Sequence, residues 1–179
     1  MYFGEEQLEV DIKGVEIILE GKSRPGHFDG VIRVLSIFFR LLNPSLSFFG
    51  EKDFQQVLVV EQLVHQHFSQ IQLVRCPTSR EPNGLARSSR NKHLSSEEFI
   101  KAGEIFQVLN WFKNQVNQNN INDTLLNAKK KLSNTFDVEY LELRDEVELN
   151  QVTDTLQNSR LFVAVKLRNI RLIDNIKIG

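Results

Sequence analysis

The stretch "LSFFGEKDFQQVLVVEQLVHQHFSQIQLVR", residues 46–75, decides the fold. Its opening "LSFFG" reads as a short buried strand. From Asp53 onward the apolar residues Phe54, Val57, Leu58, Val60, Leu63 and Val64 recur at helical spacing, and "IQLVR" closes the stretch as a second strand. Strand, helix and strand in this order make a βαβ unit with parallel strands and a right-handed connection. Between the first strand and the helix stands "GEKD", residues 50–53. Open α/β sheets bind ligands at that edge, and a helix start favours an anion through its N–H groups and dipole. Two accounts of this turn stay open. Asp53 and Gln56 have the D-x-x-Q spacing of a capping box, while Lys52 stands where a phosphate could sit. No G-x-x-x-x-G-K-[ST] loop is present, and a lone lysine after a glycine specifies no ligand by itself.

Outward from this unit the elements alternate. Toward the N-terminus, Leu8, Val10 and Ile12 alternate as in a strand that turns at Gly14. "GKSRPGHFDG" reads as a loop. "VIRVLSIFFRLL" reads as a helix buried on most of its circumference, which ends at Asn43-Pro44 because the residue before proline leaves the helical region. Toward the C-terminus, "PTSREPNGLARSSRNKH" reads as a long polar loop. A helix follows from Ser95, with Glu98 completing a capping box. A second, amphipathic helix turns Leu125, Leu126, Ala128 and Leu132 inward. "VEYLELRD", "RLFVAVKL" and "IRLIDNIKI" read as three strands, the last two joined by a tight turn at Arg168-Asn169. Residues 86–179 therefore predict a small α+β unit with an antiparallel sheet, set apart from the α/β segment of residues 1–85.

Composition bounds the function. The chain has 179 residues, 41% of them hydrophobic, and a formal net charge of -1, which offers no broad attraction to nucleic acid or an acidic membrane. The longest apolar run is broken by Arg33 and Arg40 and is shorter than the roughly 20 residues a membrane span requires. "MYFGEEQLEV" shows no basic region followed by an apolar core, as a leader would. The lone Cys76 makes no internal disulfide, in keeping with a reducing compartment, so a cytoplasmic protein is expected. His65 and His67 lie two apart on the predicted helix and face different ways, and no C-x-x-C or H-x-x-x-H pattern marks a metal site. "AKKKL", residues 128–132, reads as a solvated helix face, and the "NDT" sequon at Asn122 is inert in the cytoplasm. "SSRN", residues 88–91, offers two hydroxyls and a guanidinium able to fork onto phosphate oxygens. Taken alone it also reads as an ordinary solvated loop.

Four stretches in combination carry more than any one. "LEGKSRPGHFDGV" (19–31), "FGEKDFQQ" (49–56), "NGLARSSRNKHL" (83–94) and "RLIDN" (171–175) occur in the order and spacing of pantothenate synthetase, the pantoate–β-alanine ligase family, which the chain resembles from end to end. The resemblance implies an ATP-dependent, AMP-forming ligase that joins pantoate to β-alanine through a pantoyl-adenylate. It implies a Rossmann-like nucleotide- and pantoate-binding domain, a remnant of which occupies residues 1–85, followed by a smaller C-terminal lid domain over 86–179. Carried over by position, Gly50, Glu51, Lys52 and Asp53 match the nucleotide segment, with Lys52 as phosphate ligand, and Gln56 matches a pantoate-binding glutamine. Ser79 matches a nucleotide contact. Arg87, Ser88, Ser89 and Arg90 fall on the loop that closes over the phosphates, so Lys52, Ser88, Ser89 and Arg90 are the implied catalytic group. Arg24 in "SRPGHF" is a weaker candidate, with a structural role as its other reading. ATP with Mg2+ is the implied co-substrate, without a tightly bound cofactor, and a homodimer is the expected assembly.

Two departures qualify the resemblance. The family's H-x-G-H motif, which holds ATP phosphates, and a second pantoate-binding glutamine are not in this chain. Met1-Tyr2 aligns with the family's interior, so the residues correspond to a C-terminal portion of the enzyme, expected to be inactive in isolation and to expose apolar surface beside "LSFFG". Arg87 stands where the family commonly has an apolar residue. Two further readings remain: a non-catalytic nucleotide-binding or assembly module derived from the family, and a structural domain whose polar motifs are all caps and loops.

Overall fold

The computed structural model describes residues 8–179; Met1–Gln7, part of the stretch read for a leader, lie outside them. The chain divides into two compact units between Pro77 and Thr78, not between Leu85 and Ala86 as the sequence predicts. The reason lies in the segment after Pro77. Leu85 belongs to the hydrophobic core of the second unit, and Arg80 is paired with Asp174 near the C-terminus.

In the first unit the quoted stretch folds as expected. β1 (Leu46–Gly50) and β2 (Gln72–Cys76) pair in parallel with Gly50 opposite Cys76, and one helix connects them. That helix buries Phe54, Gln55, Val57, Leu58, Val59, Val60, Leu63 and Val64, so it is covered on most sides. The expected burial of "LSFFG" is not seen: Leu46 and Phe48 are exposed because alternate residues of β1 face solvent.

Residues 8–12 form no strand. Their backbone is instead held by side chains from the end of the connecting helix. Gln66 accepts from the Asp11 N–H and donates to the Asp11 carbonyl, both at 3.0 Å, and His67 Nε2 lies 2.8 Å from the Glu9 carbonyl. Side-chain amides thus do the work of a neighbouring strand. "GKSRPGHFDG" is not a loop throughout either, since α1 (Leu19–Ser23) occupies its start and α2 (His27–Leu42) begins before its end. α2 stops at Asn43, with φ 40, just before Pro44. It buries only Phe28, Ile32, Ser36 and Phe39, a single stripe at three- and four-residue spacing. Val34, Phe38, Leu41 and Leu42 are exposed, which corrects the expectation of near-complete burial. The connecting helix of the βαβ unit is α3 (Phe54–His67).

The second unit has three helices and a meander. α4 (Ser96–Ala102) opens with the expected capping box: Ser95 Oγ accepts from the Glu98 N–H at 3.2 Å while Glu98 accepts from the Ser95 N–H at 2.8 Å. The long helix read from the sequence is two, broken at Gly103, with α5 spanning Glu104–Gln115. A Cβ on Gly103 would lie 2.8 Å from the Asn83 carbonyl oxygen, so only glycine lets the preceding loop approach. α6 (Ile121–Ser133) buries Ile121, Thr124, Ala128 and Leu132, whereas Leu126, expected inside, is exposed.

β3 (Asp137–Asp145), β4 (Ser159–Leu167) and β5 (Ile170–Lys177) pair antiparallel in the order β3-β4-β5. Arg168 takes φ 51 in the two-residue link between β4 and β5, the left-handed backbone such links require. Leu161, Val163, Val165 and Leu167 of β4 join Ile105, Leu109, Phe112, Ala128 and Leu132 in one core. Each large side chain buried there contributes about 1.5–3 kcal/mol.

Candidate functional site

Each unit carries its own share of the expected residues. In the first, β1 ends at Gly50 and a single 3-10 turn, Glu51–Asp53, leads into α3. Gly50 has open space where a side chain would stand. The Lys52 side chain is mostly buried, and its Nζ lies 4.0 Å from Asp53 Oδ1. Asp53 occupies the N-cap position without making a side-chain capping bond, so the D-x-x-Q capping box does not form. The turn thus brings a sheltered ammonium and two carboxylates to the N-terminus of a helix of 14 residues, where the dipole favours negative charge.

The two glutamines that follow have separate tasks. Gln55 is buried: its Nε2 donates to the Val15 and Ile18 carbonyls at 3.0 and 3.1 Å, and its Oε1 accepts from the Glu20 N–H at 2.7 Å. It fixes the segment before α1 onto α3. Gln56 is only half buried.

Sequence reasoning assigned no part to His27. It is the first residue of α2, and its Nε2 accepts from Arg24 Nη1 at 2.9 Å. An arginine cannot accept in return, so this bond requires the neutral ring. Burial and, next, the Arg24 charge hold the pKa below the ordinary 6.5, against opposite pulls from Glu20 and Asp53. Asp53's influence brings the "SRPGHF" and "GEKD" motifs within electrostatic reach of each other. The only sequence signal was the fixed spacing of Arg24 and His27 across Pro25-Gly26.

In the second unit, the segment read as an unstructured loop contains a tight hairpin. The Arg87 N–H donates to the Ser79 carbonyl at 2.9 Å, Arg80 bridges Ala86, and the Glu81 N–H donates to the Leu85 carbonyl at 2.8 Å. Glu81 and Gly84 close the turn at 2.8 Å, with Gly84 at φ 89. The hairpin sets Ser79 opposite Arg87, the residue before Ser88, and so brings the two ends of this candidate segment together. Ser88 caps a 3-10 turn, Ser89–His93, by accepting from the Arg90 N–H at 3.2 Å. Ser89 and Arg90 are exposed. Arg87 pairs with Glu81 at 3.5 Å, so the cation unusual for the resemblance has a local counterion.

Arg80 and Asp174, the latter within "RLIDN", were also missed as a pair. Arg80 meets both carboxylate oxygens of Asp174 at 2.6 and 3.0 Å, donates to the Gly84 carbonyl at 3.0 Å, and lies over the Phe106 ring at 3.7 Å. Nothing in the sequence links residues so far apart; only the fold does.

The family model for pantoate-beta-alanine ligase matches residues 1–177. The chain belongs to this family. It is 40% identical over 172 residues to the pantothenate synthetase of Flavobacterium psychrophilum, covering 94% of this chain and 61% of that relative. The crystal structure of pantothenate synthetase from Thermus thermophilus superposes with a TM-score of 0.88 at 34% identity, covering 97% of this chain and 63% of the other. The Francisella tularensis pantoate-beta-alanine ligase, solved in complex with beta-gamma ATP and beta-alanine, has a TM-score of 0.69 at 32% identity, covering 97% and 57%. The chain thus spans about three-fifths of the length of the relatives it matches. Its α/β architecture, with a parallel pair and a three-stranded antiparallel sheet, is that of the family. Among the described residues no helix is long and apolar enough to cross a membrane, and no cluster of three or more acidic, histidine or cysteine side chains could hold a metal.

Proposed function

We propose that this chain carries the nucleotide-binding part of an ATP-dependent ligase that joins pantoate to β-alanine. The observation that carries the reading is Lys52, sheltered in the turn between the carboxyl end of β1 and the start of α3. In that reaction a pantoate carboxylate oxygen attacks the α-phosphorus of ATP and pyrophosphate leaves. The β-alanine amine then attacks the acyl carbon of the pantoyl-adenylate and AMP leaves. Negative charge grows on the departing pyrophosphate, so a fixed ammonium, the α3 terminus and the donors of Ser88, Ser89 and Arg90 stabilise the transition state more than the ground state.

In the first unit Gly50, Glu51 and Asp53 serve as nucleotide contacts beside Lys52, and Gln56 as the pantoate ligand; in the second, Ser79 and Arg87 serve as nucleotide contacts. Mg2+ arrives with ATP as part of the substrate. The chemistry of the corner fits it, since Mg2+ is usually held by phosphates and one or two carboxylates and not by an all-protein cage. The reading carries with it a homodimer working in the cytoplasm, for which the exposed Val34, Phe38, Leu41 and Leu42 supply apolar surface.

Calorimetric titration of Mg·ATP into the chain and its Lys52→Ala variant tests the site. We expect the variant to bind at least about tenfold more weakly, as loss of one charge-assisted contact implies. Equal binding removes Lys52 from the site. With no H-x-G-H segment among its residues, the chain alone is expected to release no AMP when given pantoate, β-alanine and Mg·ATP. Measurable release would overturn that part.

A further inference from the structure

In the hairpin that bears Ser79 and leads to Ser88, Ser89 and Arg90, the returning arm is held by the buried Leu85 and Ala86, whereas the outgoing arm, residues 79–81, has no buried apolar side chain. That outgoing arm is anchored by the ion pair between Arg80 and Asp174, neither of which is among the expected nucleotide contacts. The Asp174 side chain is 3% exposed and also accepts from the Asn175 N–H at 2.8 Å. Arg80 commits both terminal nitrogens to it. Nη1 serves Asp174 Oδ2 and the Gly84 carbonyl, while Nη2 serves Asp174 Oδ1 and, at 3.4 Å, the Asn175 carbonyl.

The geometry is selective for a planar fork. One face of the guanidinium rests on Phe106, and the same ring comes so near Gly84 that a Cβ there would stand 2.6 Å from its Cδ1. Arginine, aromatic ring and glycine therefore make one stack that ties the tip of the hairpin to β5. A lysine at position 80 would keep the charge but lose the fork and most of the stack. Arg80 directly follows Ser79, and its bridge partner Ala86 directly precedes Arg87 and Ser88. Whatever fixes Arg80 fixes the backbone from which those side chains project.

We propose that Arg80 and Asp174 are a positioning pair for the phosphate-binding loop, acting on the nucleotide through the hairpin backbone without touching it. The proposal rests on the reading that this loop binds ATP. It predicts that loop placement, and with it ATP affinity, depends on the fork as such and not merely on the stability the pair lends to the unit.

Mg·ATP titration of the 179-residue chain, combined with amide NMR of the ligand-free protein, separates the two. Arg80→Lys is expected to shift the Ser79, Ser88, Ser89 and Arg90 amide resonances, leave those of β4 in place, and weaken Mg·ATP binding by about tenfold or more, since small misplacements of binding groups cost that much. A second variant guards against simple unfolding. In Arg80→Met/Asp174→Leu an apolar pair of similar volume replaces the ion pair, a change that often preserves or raises stability. It should melt near the wild-type temperature and still bind Mg·ATP weakly. Wild-type affinity in either variant, with binding by the parent intact, overturns the positioning role alone. Failure of the parent chain to bind Mg·ATP overturns the phosphate-loop reading, and the role falls with it.

Discussion

At the scale of single residues, His27 and Gln55 carry chemistry that their positions in the sequence conceal. The Arg24 bond to His27 needs the neutral ring, and burial together with Arg24 keeps its pKa below 6.5. The unfolded ring takes up its proton near 6.5 and the folded ring only at lower pH. His27 therefore contributes stability that is present above 6.5 and is lost as the pH falls from there through the folded value. An NMR titration of the His27 ring should give a midpoint under 6.5, and Arg24→Ala should raise it. A midpoint indifferent to Arg24 would leave burial as the sole cause. Gln55 and Gln56 show the limit of reading identical neighbours. Both suited a helix start by type, but the fold turns Gln55 into a buried staple with three backbone bonds and leaves Gln56 half buried.

At the scale of elements, periodicity and punctuation located most of what forms. α3, the parallel pair and the three-stranded meander lie where their apolar patterns put them, and the Ser95 capping box is present because all its partners are local. The hairpin over 79–87 was also legible in principle. "PNG" between short segments is a turn signal, but the polarity of the whole region points equally to an open loop. Gly84→Ala tests how tightly that turn is built. A positive φ and a 2.6 Å approach to the Phe106 side chain both oppose a methyl group, so a loss of about 2 kcal/mol is expected in a urea melt. A change below about 0.5 kcal/mol, the range of ordinary surface substitutions, would mean that Phe106 yields freely. The missing strand at residues 8–12 has a different cause. Alternation of Leu8, Val10 and Ile12 specifies an extended chain but not its partner, and the partners that formed are the side chains of Gln66 and His67.

At the scale of the whole molecule, the boundary at Pro77 and Thr78 has a direct consequence. A fragment of residues 78–179 retains Arg80 and Leu85 and is expected to fold cooperatively alone, whereas residues 86–179 would leave the Asp174 carboxylate buried without its arginine. Breaking such a pair costs about 3 kcal/mol or more. Urea denaturation followed by circular dichroism should place the shorter fragment's midpoint clearly lower. Equal midpoints would return the boundary to residue 85. The sequence by itself determined most element types, the antiparallel and parallel pairings, the Ser95 capping box and the motifs that mark the ligase family, because each depends on residues within a turn or two or on patterns of fixed period. Only the tertiary structure decided which apolar residues of α2 and β1 stay exposed, that Gln55 holds the segment before α1 while Asp53 makes no capping bond, and that Arg80 finds Asp174. Those outcomes depend on which distant groups meet, and burial and ion pairing between distant residues leave no period in the sequence to read.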